Sequence, residues 1–285
     1  MNYPPFPFTA EELTAEARRY AALSTGLQTP DMYKLAFSCI DLTTLNPTDT
    51  ISHVAAFTHK VNLFEREYPD MPSVAAICVY PNMASVVKEN LAVEGVTIAA
   101  VAGGFPSSMT FAEVKVEEAR LAVLHGADEV DIVLPLWAFL EGNEEYCRRE
   151  IRTVKNAIGD AHLKVILESG VLADPALIWK ASLLSLEAGA DFIKTSTGKM
   201  PVSATPEAAV VMCHALRVWS ETTGEIRGFK PAGGISTPAE AMIYLTVVRE
   251  ILGESRLTNQ WFRIGTSRLA NNLLSAVAGR EISHF

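Results

Sequence analysis

Lys194 closes a short apolar run, Asp191-Phe192-Ile193-Lys194, and is followed by Thr195-Ser196-Thr197-Gly198-Lys199. That order reads as a buried strand delivering a lysine to a loop of small residues. An ammonium group loses hydration on burial, so lysine is rarely placed there unless something needs an amine. The same desolvation lowers its pKa and makes it a nucleophile. The alternative is a lysine that snorkels to water or pairs with a carboxylate such as Asp191. A second run, Ile226-Arg227-Gly228-Phe229-Lys230, leads into Pro231-Ala232-Gly233-Gly234 and repeats the pattern. If neighbouring parallel strands deliver both lysines, each cation disfavours protonation of the other, which is a route to a reactive amine near neutral pH. The competing reading is two unrelated lysines with separate partners.

The elements that would position these residues alternate along the chain. Short apolar runs fall near 38–42, 74–79, 97–101, 129–134, 163–168, 191–194, 226–230 and 262–265. Between and after them lie amphipathic, helix-length stretches at 48–68, 82–91, 111–125, 136–158, 174–188, 205–222, 237–252 and 267–277. Three helix starts are marked by a capping residue followed by proline: Asp174-Pro175, Thr205-Pro206 and Thr237-Pro238. His125-Gly126 and Ala188-Gly189 read as helix ends, each leading through an Ala-Asp pair into a strand. Eight such alternations match a (β/α)8 TIM barrel better than an open doubly wound sheet. Ahead of them, Thr9 with Glu11 and Glu12 starts an additional N-terminal helix over 9–25. The proline-rich, aromatic residues 1–8 read as an extended arm laid on an apolar surface, with a disordered segment as the equal alternative, and 1–285 is expected to be one domain.

Composition narrows the partners. The 285 residues are 49% hydrophobic and carry a formal charge of −9, which disfavours a nucleic-acid surface. No apolar run approaches the ~20 residues that span a bilayer, and the amino terminus lacks a basic region followed by a hydrophobic one. Cys39, Cys78, Cys147 and Cys213 form no Cys-x-x-Cys pair, so free thiols in a reducing, cytoplasmic compartment are expected, and no metal site. Neither a Gly-x-Gly-x-x-Gly turn nor a Gly-x-x-x-x-Gly-Lys-Ser/Thr loop supports a nucleotide cofactor.

A barrel gathers its active site at the carboxyl ends of the strands, so the polar residues there form one list: Asp41, Cys78, Asp131, Glu168, Lys194 and Lys230. Two lysines and several carboxylates at one mouth are a plausible acid, base and nucleophile set, and for Glu168 a plain salt bridge is an equal reading. Gly198-Lys199, Gly233-Gly234 and Gly265-Thr266-Ser267 would expose backbone N–H groups, the last two at helix starts where the dipole favours an anion. Ordinary turn glycines are the alternative.

With these residues assembled, the chain resembles the 2-deoxyribose-5-phosphate aldolases, a class I Schiff-base family. The resemblance runs from about 37 to 274 and rests on Asp41-Leu-Thr-Thr-Leu-Asn46, Ala76-Ile-Cys-Val-Tyr-Pro81, Gly126-Ala-Asp-Glu-Val-Asp131 and Leu163-Lys-Val-Ile-Leu-Glu168. The most specific motifs are Phe192-Ile-Lys-Thr-Ser-Thr-Gly-Lys199 and Gly228-Phe-Lys-Pro-Ala-Gly-Gly234. It implies that Lys194 forms the Schiff base, Lys230 depresses its pKa and Asp131 assists proton transfer. It further implies a substrate pocket lined by Asp41, Thr43, Leu45, Cys78 and Thr197, with phosphate held by Gly198, Lys199, Gly233, Gly234, Gly265 and Ser267. No cofactor is implied, the substrates are a small phosphorylated sugar and aldehydes, and homo-oligomer formation stays open. Another Schiff-base aldolase or transaldolase, or a phosphate-binding barrel without chemistry, are the alternatives.

Two departures from the family pattern stand out. Ile235-Ser236 follows Gly234 where arginine often occupies the second position, and Ser267 is followed by Arg268 instead of a second serine; one reading moves a phosphate-binding cation to Arg268, the other points Arg268 outward along the helix into solvent. The loop Ala102-Gly-Gly-Phe-Pro106 is also richer in glycine than the pattern.

Overall fold

Each strand is short and nearly continuous in buried residues, as parallel strands covered by helices must be. In the computed structural model, which describes residues 3–285, the strands are β1 Ile40–Thr43, β2 Ala76–Val79, β3 Thr97–Ala102, β4 Glu129–Val133, β5 His162–Ile166, β6 Phe192–Lys194, β7 Gly228–Lys230 and β8 Ile264–Thr266. They pair in parallel in the order β7-β6-β5-β4-β3-β2-β1-β8. Bridges Phe229↔Phe262 and Ala232↔Gly265 close the ring between β7 and β8. The helices are α1 Ala10–Leu23, α2 Pro30–Ser38, α3 Ile51–Glu67, α4 Ala84–Asn90, α5 Ala112–Leu124, α6 Leu136–Leu140, α7 Glu144–Ile158, α8 Ser169–Leu172, α9 Pro175–Glu187, α10 Pro206–Thr223, α11 Pro238–Leu252 and α12 Leu269–Ala278. This is a (β/α)8 barrel with an added N-terminal helix.

Local chemistry sets many of the ends. Asp174, Thr205 and Thr237 each accept from a backbone N–H of the first turn, with proline at the first helical position. α1 starts on a reciprocal pair between Thr9 and Glu12. The aspartates after the Gly126 and Gly189 turns latch one βα unit to the next: Asp128 accepts from Ile98 N at 2.9 Å, and Asp191 from Leu163 N at 2.9 Å.

The structure departs from the sequence-based expectation in four places, one of them the short helix α8, which lies between the expected strand and the helix expected over 174–188. Helix α2 was not anticipated, although Thr29 caps it and Pro30 opens it. The single helix expected over 136–158 is two, because Gly142 takes a left-handed φ of 79° and Asn143 caps α7 by accepting from Tyr146 N. The helix expected over 9–25 ends at Leu23 and continues as a single 3-10 turn, Ser24–Leu27. Of the arm expected over 1–8, Met1 and Asn2 lie outside the described residues. From Tyr3 it runs without regular structure, with Phe6 packed 5.8 Å from Trp179 and Phe8 4.8 Å from the ring of His214.

The main core lies between strands and helices, while the side chains of alternate parity point into the barrel. There the upper part holds a separate small cluster of Leu45, Ala76, Cys78, Ala99 and Val101. The rest of that parity is unusual, for it places Asp41, Glu129, Asp131, Lys164, Lys194, Lys230 and Arg263 in the interior, all nearly inaccessible to solvent. Among the described residues, no helix is long and apolar enough to cross a membrane.

Candidate active site

Lys194 and Lys230 end β6 and β7 and are register partners in the parallel ladder, so their side chains emerge side by side. Lys194 Nζ donates to Asp131 Oδ2 at 2.7 Å, and Lys230 Nζ donates to the same oxygen at 2.8 Å. Asp191, the alternative partner for Lys194, instead pairs with Lys155 at 2.8 Å and Arg227 at 3.2 Å on the outside of the barrel. Lys230 also lies 2.5 Å from Asp41 Oδ2. Burial lowers the Lys194 pKa below its ordinary value; Asp131 opposes the shift and the positive charge of Lys230 adds to it. Burial acts on Lys230 too, but Asp131 and Asp41 outweigh it and hold that ammonium above its ordinary value.

Below these lysines the network continues through residues that the sequence reading did not place in the site. Lys164, on β5, donates to Asp131 Oδ1 at 3.2 Å and contacts Glu129. Arg263 donates through Nη1 to Asp41 Oδ1 at 2.7 Å and through Nη2 to Glu129 Oε1 at 2.7 Å. Phe192 supplies an aromatic face to both cations, 5.9 Å from Lys164 Nζ and from Arg263 Cζ. Gly228 leaves room for that ring, since a Cβ there would stand 2.2 Å from it. Burial raises the three carboxylates, yet the surrounding cations prevail and hold Asp41, Glu129 and Asp131 below the usual carboxylate range. Four basic side chains therefore meet three ionised carboxylates, and the set is balanced when Lys194 is neutral. The signal that could have found Lys164 was in the sequence, a lysine in mid-strand, where the argument made for Lys194 applies with equal force.

Above Lys194 opens a cavity of about 410 Å³, lined by Thr43, Leu45, Thr197, Gly198, Lys199, Gly233, Gly234, Gly265, Ser267 and Arg268. Of the residues expected near substrate, Asp41 and Cys78 are not on its wall. Asp41 sits in the ionic network, and Cys78 is buried, its thiol pushed up by desolvation. Lys199 reaches across the mouth to the carbonyl of Leu45 at 2.7 Å. The glycine loops after β6 and β7 touch backbone to backbone. A Cβ on Gly233, whose φ is +84°, would stand 2.6 Å from Ser203 and 3.0 Å from the Cα of Gly198. Ser267 and Arg268, both exposed, line the cavity just ahead of α12, whose first N–H, on Leu269, is donated to Thr266 Oγ1 at 3.3 Å. Glu168 makes no salt bridge among the described residues; at a left-handed φ of 52° it accepts from Thr197 Oγ1 at 2.6 Å and shapes the loop that follows β6. A larger cavity of about 900 Å³ lies against α5 and α7 and holds none of these residues, so the chemistry and not the volume marks the site.

A buried amine at the strand ends, facing a polar hollow beside a helix start, fits a barrel enzyme of the aldolase class. The sequence profile of the DeoC/LacD family aldolases matches residues 35–254, and the chain belongs to that family. A Caenorhabditis elegans protein named "Putative deoxyribose-phosphate aldolase" is 40% identical over 274 residues, 95% of this chain and 89% of its own. The deoxyribose phosphate aldolase of Aeropyrum pernix, described as having a unique tetrameric structure, superposes with a TM-score of 0.67 at 26% identity, over 90% of this chain and 97% of its own. An apo-form structure from Toxoplasma gondii ME49, covering 91% of this chain and 100% of its own, reaches a TM-score of 0.77 at 24% identity and supports the fold alone.

Proposed function

We propose that this enzyme reversibly cleaves 2-deoxy-D-ribose 5-phosphate to acetaldehyde and D-glyceraldehyde 3-phosphate through a Schiff base on Lys194. The carrying observation is that Lys194, alone among the lysines of the ionic network, is held below its ordinary pKa while its amine faces the cavity. A lowered pKa raises the fraction of the amine that is neutral, and so nucleophilic, near neutral pH.

In the cleavage direction the neutral amine adds to the C1 aldehyde of the open-chain sugar, and loss of water gives an iminium ion. The C3 hydroxyl gives up its proton, the C2–C3 bond breaks, and its electron pair flows to the iminium nitrogen. Glyceraldehyde 3-phosphate leaves, the remaining enamine takes a proton at C2, and hydrolysis frees acetaldehyde and Lys194. Asp131 accepts from Lys194 and Lys230 at one oxygen, which suits it to passing protons between the amine and the reacting carbon. The protonated imine is the electron sink, so no cofactor enters the cycle. The phosphate is assigned to Gly198, Lys199, Gly233, Gly234, Gly265 and Ser267, with Arg268 as an added cation.

The chain is read as one barrel domain. Its four buried free thiols fit a reducing, cytoplasmic setting, and its net charge of −9 argues against nucleic-acid partners. Homo-oligomer formation accords with the tetramer of the Aeropyrum pernix relative. A retro-aldol assay on deoxyribose 5-phosphate tests the activity. Reductive trapping with acetaldehyde tests the nucleophile, and a phosphate-binding barrel without chemistry would show neither product nor adduct.

A further inference from the structure

The ionic network has two ends. Its upper end is Lys194 in the substrate cavity; its lower end, Arg263 and Glu129, lines a separate cavity of about 550 Å³ at the opposite mouth of the barrel, with His162 and Gln260. From Arg263 two routes of direct contact climb to the nucleophile. One runs through Asp41 at 2.7 Å to Lys230 at 2.5 Å and on to Asp131 at 2.8 Å. The other runs through Glu129 at 2.7 Å to Lys164, whose Nζ lies 3.2 Å from Asp131. Both converge on the carboxylate that accepts from Lys194.

We propose that Arg263 and Glu129 are positioning residues for Lys194, acting from the far mouth of the barrel by fixing the charge of the network that keeps its amine free of a proton. The inference rests on the Schiff-base reading of Lys194 and adds two residues that touch no substrate. Its physical ground is electroneutrality in a medium of low polarity, where an unbalanced buried charge is costly. With Lys194 neutral, Lys164, Lys230 and Arg263 balance Asp41, Glu129 and Asp131. Removing the Arg263 charge leaves one negative charge in excess. The group that then takes up a proton is the strongest free base present, which is the Lys194 amine and not a carboxylate. Removing the Glu129 charge leaves one positive charge in excess and discourages protonation of Lys194 still further.

The other groups facing Lys194 leave this sign unchanged. Cys78 on β2 is an un-ionised thiol at neutral pH, and Glu168 beyond β5 is engaged by Thr197. Asp128, Asp160 and His162 line the lower cavity, below Arg263.

The two substitutions are therefore expected to move the same titration in opposite directions. The readout is the pH dependence of single-turnover trapping of acetaldehyde on Lys194 by cyanoborohydride, which requires the neutral amine and involves no phosphate. Arg263→Met is expected to shift the acid limb upward by about one pH unit, a roughly tenfold slower reaction below the limb, and Glu129→Gln to shift it downward. Arg263→Lys, which keeps the charge, is expected to restore the wild-type midpoint. A purely structural role would lower the amount of folded protein without opposed shifts, so circular dichroism and thermal unfolding accompany each profile. If Arg263→Met does not fold, the sign for Glu129→Gln and the midpoint for Arg263→Lys still decide. Wild-type midpoints in folded variants, or shifts of the same sign, overturn the proposal. Failure of the wild-type enzyme to trap acetaldehyde at all overturns the Schiff-base reading instead.

Discussion

Lys194 and Lys230 share a single acceptor, Asp131 Oδ2, at 2.7 and 2.8 Å. One carboxylate oxygen thus fixes the spacing of two amines whose charge states diverge, the first lowered and the second raised. The amine proposed as nucleophile and the cation proposed to tune it are held by the same atom.

Lys194→Ala is expected to lower turnover of deoxyribose 5-phosphate by on the order of 10⁴-fold or more, because the covalent route is lost. Lys194→Arg should fail equally, since guanidinium stays protonated. Steady-state assay of both variants checks this, and appreciable residual turnover in either would remove Lys194 from the nucleophile's role.

Lys230→Leu is expected to leave the nucleophile in place and raise its pKa, because a cation that lowers it is gone. The sign follows from the reactive form being neutral: the acid limb of the rate profile moves to higher pH, by about one to three units. Measuring kcat/KM from pH 5 to 10 reads the shift, and an unmoved limb would mean that Lys230 does not tune Lys194.

Arg268→Ala is expected to raise KM for deoxyribose 5-phosphate about tenfold while leaving activity on unphosphorylated deoxyribose nearly unchanged. The structure puts Arg268 on the cavity wall and exposed at the start of α12, where a guanidinium can meet a phosphate. Equal effects on both substrates, or none on either, would leave phosphate to the glycine amides, Ser267 and Lys199.

Acid should loosen the seat of the N-terminal arm. His214 is buried, its ring tilted 55° against that of Phe8, and neither ring nitrogen has a hydrogen-bond partner among the described residues. Burial, aided by Arg217 and opposed by Glu16, lowers its pKa from 6.5 to about 4. The unfolded chain therefore binds the proton more readily between pH 6.5 and 4. Stability falls as pH drops through that window, by about 3 kcal/mol in total, and this contribution does not change further below it. Urea unfolding at pH 7 and 4.5 should show the decline in the wild type and a smaller one in His214→Leu.

The sequence made the barrel legible because its signals are local. Apolar runs, the caps at Asp174, Thr205 and Thr237, and the turns at Gly126 and Gly189 each declare themselves within a few residues. The miss at α2 is instructive, since Thr29-Pro30 carries the same signature as two of the starts that were recognised. Lys194 and Lys230 drew attention because they close their strands, where a barrel puts its chemistry, and Asp131, in the middle of β4, because its motif resembles the family's. Arg263, Glu129 and Lys164 were not, because a charge in mid-barrel is intelligible only through partners far away in sequence. Arg263 and Asp41 are 222 residues apart, and no local period encodes their contact.

The closure of the barrel has a mechanical consequence. β7 and β8 are joined by two isolated bridges, whereas β4 and β5 match five residues in register. The loops assigned to phosphate, Gly233-Gly234 after β7 and Ser267 after β8, stand on either side of that seam. A substrate gripped by both acts as a staple across the thinnest join in the wall. The unliganded enzyme is expected to open there first, and amide exchange along the seam to slow once the site is filled.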